Sequence, residues 1–498
     1  RASGQFDSDW YYSTYPDVTT FKRNALQHYV QHGAIEGRDP NPNFDTLRYL
    51  KRYSLRLPSD KNPFADFIQN GSDDDIFEQG LLHTFSAASL RCGIERLKQF
   101  PIFCEKSYLE LNQDIAGGAL SAVHHAMVYG FAEGRSIMNK RKVSLELGRV
   151  SAEVPQGPIK PMALHVPPAR IGVYYNSSGN GFIREIAEDM VTWLHSAGLP
   201  GELLDETSSI ENRPPCAIFV APHEFFHLGE GRNWIHDEVV SQSFMLNTEQ
   251  PQTLWFDRGM PFMLMSRGVI DICVQNGVLL SEAGIPTLHM NCEVQPVTTH
   301  LLPQDLLHPL VRVLPEPLRK APLVETPFSE RPLDLTFFGG SSGKRDAFFA
   351  RSAAFLSDYK SFLYYRRFEG PHTNSQRDGI LGRLASHVTG HAKISLNIHR
   401  DEYGFFEWHR IVKIAMVGGS VVVSEPCLPH PLFKPGEHFF EEAGRHMPDL
   451  IEWLIHSPDG QAKAEEVRRA AFDKIYDESL RHQHRTQLQR FILTNWTS

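Results

Sequence analysis

Residues 394–426, ISLNIHRDEYGFFEWHRIVKIAMVGGSVVVSEP, carry the side chains best placed by type and spacing to do chemistry. The segment reads as strand, loop, helix, Gly-Gly turn, strand. Its polar residues fall at element ends: His399 just past the first strand, Glu425 just past the second. Glu407 and Arg410 are three apart, so in the first turns of the helix they share a face. Ligands of parallel α/β sheets bind at the carboxyl ends of the strands, which makes this the expected seat of a nucleotide or its phosphates. Glu425 is then placed to accept ribose hydroxyls. The plainer reading of Glu407 and Arg410 is a solvated ion pair, extended by Lys413. Against it, Phe405, Trp408, Ile411, Val412, Ala415 and Met416 give the helix a buried stripe.

Four further clusters have the right residue types. Gly339-Gly340-Ser341-Ser342-Gly343-Lys344-Arg345 follows a strand and opens a helix. Glycines let backbone approach a phosphate, a helix N-terminus offers N–H groups, and Lys344 and Arg345 add charge. The spacing is not that of a Walker A loop, and an ordinary strand-to-helix turn fits nearly as well. Asn176 to Gly181, NSSGNG, is the matching turn in an earlier α/β stretch, with Asn176 and Gly179 facing an acceptor or nothing. His223-Glu224 ends the strand of AIFVAPHEFF, where either residue could serve as a general base. A hydrogen-bonded histidine and a helix-starting acid are the structural alternative. Glu249, in Asn247-Thr248-Glu249-Gln250, has the same topological position. His28 and His32 are spaced for one helix face but lack a third ligand nearby, so no metal site is expected.

The elements that must position these groups fall into a repeat region and two α/β stretches. Phe6, Tyr11, Asp17, His28, Gly33, Glu36, Gly37 and Arg38 recur as Phe103, Tyr108, Asp114, His125, Gly130, Glu133, Gly134 and Arg135. The offset is constant (103 against 6, 135 against 38), so no gap is needed. A degenerate middle copy places Phe44, Tyr49 and Gly71 in register and replaces EGR by the acidic run Asp73–Asp75. Such self-similarity marks stacked supersecondary units. Each copy reads as two short helices around a turn, with Gly33 and Gly130 as helix C-caps. Prolines 155, 158, 161, 167 and 168 form a linker. Strands are expected at 170–175, 217–221, 243–247 and around 270–275. A second series follows at 333–338, 361–365, 394–398 and 420–424, with helices near 345–357, 378–390, 449–455, 461–476 and 480–491.

The totals bound the options. Across 498 residues the net charge is −9, which argues against a general nucleic-acid binder. Six scattered cysteines without a C-x-x-C pair give neither a disulfide framework nor a structural zinc site. No apolar run approaches a membrane span and no signal-peptide pattern is visible, so a cytoplasmic protein is expected, with peripheral placement at the inner membrane as a variant.

The repeat consensus, F-D-x-x-W/Y-Y…YPDV…HY-x-x-x-G-x-x-EGR-x-P, resembles a repeat attached to bacterial polysaccharide-associated glycosyltransferases. DLTFFGGSSGKR and KISLNIHRDEYGFFEWHRIVKIAMVGGSVVVSEP resemble the donor half of GT-B glycosyltransferases, and APHEFF with MLNTEQPQTLWF is similar to an acceptor half. The resemblance implies an α/β fold of GT-B type, two Rossmann-like domains facing a cleft, preceded by an all-α repeat domain. The expected domains are 1–150 (repeats), 151–169 (linker), 170–318 (acceptor side), 333–478 (donor side) and 479–498 (a crossing helix). It implies transfer of a sugar from a nucleotide-diphospho-sugar to a surface polysaccharide or related glycan, without metal or cofactor. Gly339, Gly340, Lys344, Arg345 and His399 would line the donor site, Arg410 would neutralise diphosphate, and Glu407 or Glu425 would hold hydroxyls. The repeats would offer a surface for partner proteins. One departure matters: the Glu-x(7)-Glu pair of many retaining members is missing, since eight residues past Glu407 stands Ala415 and eight past Glu402 stands Arg410. Stereochemistry is therefore not inherited. Inversion would require a base from the first half, His223 or Glu224. The competing readings are a non-hydrolysing sugar-nucleotide epimerase of the same fold and a degenerate glycan-binding or scaffold module.

Overall fold

A computed structural model describes residues 6–20, 24–42, 44–53, 61–70, 85–115, 121–151, 167–291, 308–367 and 382–496. Gly71 and the Asp73–Asp75 run of the middle repeat, most of the Pro-rich linker and the first residues of the helix expected from Asp378 lie outside them.

The architecture is mixed α/β with two sheets. The first runs β2-β1-β3-β4-β5-β6 and the second β11-β10-β9-β7-β8. In the first, β1 (Ile171–Tyr175) pairs in parallel with β2 (Gly201–Asp205) and β3 (Cys216–Val220). It continues with β4 (Phe244–Asn247), β5 (Gly268–Asp271) and β6 (Thr287–His289). In the second, β7 (Leu333–Gly340) lies parallel to β8 (Ser361–Arg366) and β9 (Ala392–Asn397), and β10 (Val421–Ser424) to β9 and β11 (Phe440–Glu441). Strands β3, β4, β5 and β10 are buried along their whole length. That is why they read as continuous apolar runs, the mark of a parallel sheet covered on both faces. The sequence reading missed β2, β6 and β11. They are short strands with partly exposed residues, GELLD, TLH and FE, and no apolar run to betray them.

The chain divides into two compact units, residues 1–149, 221–270 and 276–287, and residues 150–220, 271–275 and 288–498. The first holds the repeats, whose two full copies fold alike. Ser8–Thr14 and Glu105–Leu111 are the first helices; Ala25–His28 and Ala122–His125 run into π-helical turns at Tyr29–Gly33 and Ala126–Gly130. The Tyr11 hydroxyl meets His28 Nδ1 at 3.1 Å, and Tyr108 meets His125 at 3.0 Å. Gly33 and Gly130 are not C-caps as expected. A methyl group at either would land on the Tyr11 or Tyr108 hydroxyl, so the constraint is close approach. The left-handed positions are Gly37 (φ 70°) and Gly134 (φ 66°). Just beyond them, Arg38 binds Asp17 at 2.6 Å and Glu36 at 2.7 Å, while Arg135 binds Asp114 at 2.8 Å and Glu133. The YPDV and EGR signatures are therefore two ends of one ion-pair lock.

In the second unit, Phe328, Leu335, Phe337, Ile394, Leu396, Val421, Val423, Met447, Ile451, Leu454 and Val467 form a core between the second sheet and the helices Met447–His456 and Pro458–Ile475. The final helix, Glu478–Trp496, packs on the helix Gly181–Ser196 that follows β1.

Gly130→Ala should cost about 1–3 kcal/mol by overpacking, read as a lower urea midpoint. Tyr108→Phe in the same chain should recover part of the loss by removing the obstructing oxygen. Full tolerance of the methyl would show that the tyrosine does not fix this glycine.

Candidate functional site

The second sheet brings most of the expected donor residues to the carboxyl ends of β7, β9 and β10. Strand β7 continues through Gly339 and Gly340, which pair with Tyr365 and Arg366 of β8. The Gly-Gly step is thus strand, and the turn proper is Ser341-Ser342. Ser342 caps the helix Gly343–Leu356 by accepting from the Arg345 N–H at 3.3 Å. Gly339 lacks a side chain because the Phe337 ring lies over it. Two guanidinium groups then sit on that ring, Arg345 at 5.6 Å and Arg410 at 5.7 Å from its centre.

Both arginines tie strand ends together. Arg345 donates from Nε to the Ile398 carbonyl at 2.8 Å and from Nη1 to Gly340 at 2.9 Å. Arg410 donates from Nε to the Phe338 carbonyl at 3.0 Å and from Nη1 to Asn397 Oδ1 at 2.9 Å. Asn397, turned the other way, donates to Ser424 Oγ at 2.9 Å. Burial and the neighbouring Arg410 push the Arg345 guanidinium down to about 10. Glu407 supplies the compensating charge, pairing directly with Arg410 and lying 3.6 Å from Arg345 and 3.7 Å from His399 Nδ1. Burial alone would raise its carboxyl, yet Arg410, His399 and Arg345 together hold it down to about 2. Glu407 stands before the helix rather than in it. The segment is a π-helix, His409–Met416, so the expected face-sharing of Glu407 and Arg410 is an ion pair across its start.

His399 and Glu425 form the other side of the cluster. The His399 N–H donates to Glu425 Oε2 at 2.9 Å, and its Nε2 faces the carbonyls of Glu425 and Pro426 at 3.2 and 3.1 Å. Facing two carbonyls, Nε2 is a donor. Lys344 Nζ reaches Glu425 Oε2 at 3.3 Å and the Asp401 carbonyl at 3.0 Å. Three cations (Lys344, Arg345, Arg410) thus meet the carboxylates of Glu407 and Glu425 beside a helix N-terminus, with Glu441 a third carboxylate next to His399.

The turn after β1 is held from below. Glu206, buried, accepts from the Ser177 N–H at 2.7 Å and from its hydroxyl at 2.6 Å. Asn176 is 2% exposed and closes the turn by accepting from the Ser178 N–H at 3.0 Å. Gly179 donates its own N–H to the Asn176 carbonyl at 3.0 Å. On the helix that follows, Glu185 meets His409 at 3.3 Å and Asp189 pairs with Lys413. Gly382 (φ 46°) passes so close to Glu185 that a methyl there would collide with its carboxylate.

The first unit carries His223, Glu224 and Glu249. After β3 the backbone turns at Ala221, φ 52°, the one non-glycine residue with positive φ among the described residues. Such strain of roughly 1–3 kcal/mol collects at functional positions. The turn Pro222–Phe225 follows and leaves His223 3% exposed and Glu224 6% exposed. Burial first, then His227 and Arg258, pushes His223 down to about 3, so it is neutral. Its Nε2 points to Glu249 Oε1 at 3.7 Å, and its buried Nδ1 has no hydrogen-bond partner. Glu249 sits in a polar nest. Asn247 and Asn276 donate to its carbonyl at 2.7 and 2.9 Å, Thr253 approaches its carboxylate at 3.3 Å, and the Trp255 ring lies 6.1 Å from that of His223. Thr248 Oγ1 and Asn276 Oδ1 are also buried without partners. Three buried polar atoms without partners thus belong to residues that adjoin or contact Glu249.

Asn397, Ser424, Glu206, Glu185, Asp189, Asn276 and Trp255 escaped the sequence reading. Only position at a strand end could have flagged the first three, and the rest depend on contacts distant in sequence. Among the described residues no group of three or more His, Cys, Asp or Glu side chains is placed to hold a metal, and no helix is long and apolar enough to cross a membrane.

No protein-family model matches the sequence, and no curated protein does. Among solved structures the chain is similar to T4 phage β-glucosyltransferase in complex with UDP and Mn2+, at 13% identity and a TM-score of 0.41 over 65% of this chain and 99% of that one. Anabaena HepE in complex with UDP and glucose matches at 11% identity and TM-score 0.39, over 64% of this chain and 99% of that one. An α-glucosyltransferase in complex with UDP and a 13-mer DNA matches at 9% identity and TM-score 0.41, over 65% and 99%. Two of these three neighbours are glucosyltransferases by name, and all three were solved with UDP. Likeness at such scores assigns no activity to this chain, whose reading rests on its own residues.

Glu407→Gln should destabilise the protein at neutral pH by about 3 kcal/mol, since it leaves buried guanidinium charge uncompensated. The Glu407 carboxyl is depressed in the folded state, so its stabilisation is complete above the ordinary carboxylate range and disappears as pH falls toward 2. The wild-type advantage over Glu407→Gln should shrink across that window in urea titrations. An advantage that does not change with pH would show that the carboxylate charge is not what Glu407 contributes.

Proposed function

We propose that this protein is a glycosyltransferase that moves a sugar from a nucleotide-diphospho donor to a hydroxyl of a glycan acceptor. The observation that carries the reading is the clustering of Lys344, Arg345 and Arg410 at the carboxyl ends of β7, β9 and β10, beside the N-terminus of the Gly343–Leu356 helix. Such a place suits a diphosphate leaving group, which basic side chains and oriented N–H groups stabilise without a metal. Lys344 and Arg345 would face phosphate oxygens, with Gly340, where a side chain would meet only the Arg366 carbonyl, letting the donor approach. Arg410 adds positive potential from behind. Glu425 and His399 would read sugar or ribose hydroxyls, and Glu407 holds both arginines in place.

His223 would be the base. With Nε2 turned to Glu249, the lone pair is on Nδ1, the atom left without a partner. It would take the acceptor hydroxyl's proton as that oxygen bonds to the anomeric carbon. The bond from that carbon to phosphate oxygen breaks, and its electrons leave on the nucleotide. A base of this kind belongs to inverting transfer. Proton affinity is low while the ring is buried, and the Glu249 carboxylate is the group that would stabilise the imidazolium, as the carboxylate does in hydrolytic triads. Thr248, Asn276 and Trp255 supply a hydroxyl-binding and stacking surface suited to a sugar. Asn176 and Gly179 would line the acceptor side at the other strand end. A nucleic-acid acceptor fits poorly with a net charge of −9.

A second reading has its own support. Arg345, Arg410 and Lys344 each already have protein partners. A module whose cations serve only its own fold would be a degenerate, non-catalytic relative.

A thermal-shift series with UDP, GDP, CDP, CMP, ADP and dTDP separates them. One nucleotide should stabilise the protein, by about 2.7 kcal/mol at a hundredfold excess over Kd. Lys344→Ala should weaken that nucleotide about tenfold, or roughly 1.4 kcal/mol. With donor and acceptor identified, His223→Ala should lower transfer by roughly 10²–10⁴ while nucleotide binding persists. If none of the nucleotides stabilises the protein, the transferase reading is lost and the degenerate module stands.

A further inference from the structure

We infer that the N-terminal helical module positions His223, acting through the helix Leu254–Met265 that it shares with the strand-end turn. After Asp257 and Arg258 in its first turns, that helix is apolar to its end: Phe256, Met260, Phe262, Met263 and Leu264 are fully buried. A helix of this kind needs cover on more than one face.

One face meets the turn that carries His223. Gly259 allows the contact, since a methyl there would lie 3.3 Å from Pro222 Cγ and 3.5 Å from the His223 backbone nitrogen. Phe226 stacks on Phe262 at 4.2 Å, and His227 Nε2 faces the Arg258 carbonyl at 3.3 Å. Another face meets the repeats. Phe100 stacks on Phe256 at 6.4 Å. Arg96, from the helix Ala87–Gln99, donates to the Leu264 and Ser266 carbonyls at 2.8 Å each. Those carbonyls end the helix and lack partners within it, and a cation there also suits the helix dipole. Gly93 lets the two helices touch beside Met265. Further along, Arg149 reaches Glu282 through both guanidinium nitrogens. The module is therefore built into the unit that holds His223, rather than hung from it.

This inference uses the role of His223 proposed above, but its test does not require activity. In the full-length protein, Arg96→Met should raise hydrogen exchange at least tenfold in 254–265 and in 221–227. His223 should become reactive to diethylpyrocarbonate, mapped by mass spectrometry. Arg96→Lys should restore part of both. Phe100→Leu is the milder variant should Arg96→Met not fold, with the same effects in smaller measure. Exchange that rises only within 87–99, with His223 still protected, would overturn the inference. The nucleotide series decides the transferase reading separately, because it reports on residues of the other unit.

Discussion

Two guanidinium groups share the ring of Phe337, and the Glu407 carboxylate makes that arrangement tolerable. Arg345 and Arg410 repel each other in a partly dry place, which is why burial and Arg410 lower the proton affinity of Arg345. Each nevertheless donates to a backbone carbonyl at the end of β7, and each reaches β9 or the residue beyond it. The strand ends are fixed because the charges are, and the charges are fixed because Glu407 stands between them. Buried ion pairs seldom add net stability over an apolar equivalent. What this one provides is a defined geometry at the carboxyl ends of the strands.

The same device is used elsewhere in the unit. At the opposite, amino end of β9, Arg331 donates to the carbonyls of Gly390, Ala392 and Gly418 at 2.7, 3.3 and 3.2 Å. There the segment before β7 is Pro-rich and has few backbone donors of its own, so a side chain does the fastening. Between the helix after β1 and the π-helix, Lys413 and Asp189 form a pair in which burial raises the Asp189 carboxyl and Lys413 opposes the rise. A π-helix widens the turn, and here it separates Glu407 from its helix while keeping Arg410 and Lys413 on it.

Much of this was legible in the sequence where a residue's role is local. The strands β1, β3, β4, β7, β9 and β10 follow from apolar runs, and the exact repeat offset foretold two matching folds. Local reasoning failed where one residue answers to another far along the chain. Gly33 looks like a C-cap until Tyr11 is seen behind it. Gly339 looks like a phosphate loop until Phe337 is seen across it. Arg410 looks like a free phosphate ligand, yet Asn397 and Phe338 already engage it. None of these partners is marked by spacing, because the contacts form only when the sheet closes. The polar nest at Glu249 was half visible: Glu249 itself stands at a strand end, whereas Asn276 and Trp255 join it from two helices.

The repeats shift the balance between the ways such a chain could work. They keep a core of their own, with Tyr11, Val18, Tyr29, Phe44 and Phe64 in it, and still reach into the rest of their unit. Here Arg96 caps the very helix whose other face supports the His223 turn, and Ala221 holds strained backbone at the start of that turn. Strain persists only where surrounding structure over-determines it. The packing that holds Ala221 in place runs through Gly259 and Phe262 to the repeats' own helix. A neutral imidazole with one buried nitrogen left unpaired stands at the end of that chain of contacts, and the packing has to offset its cost.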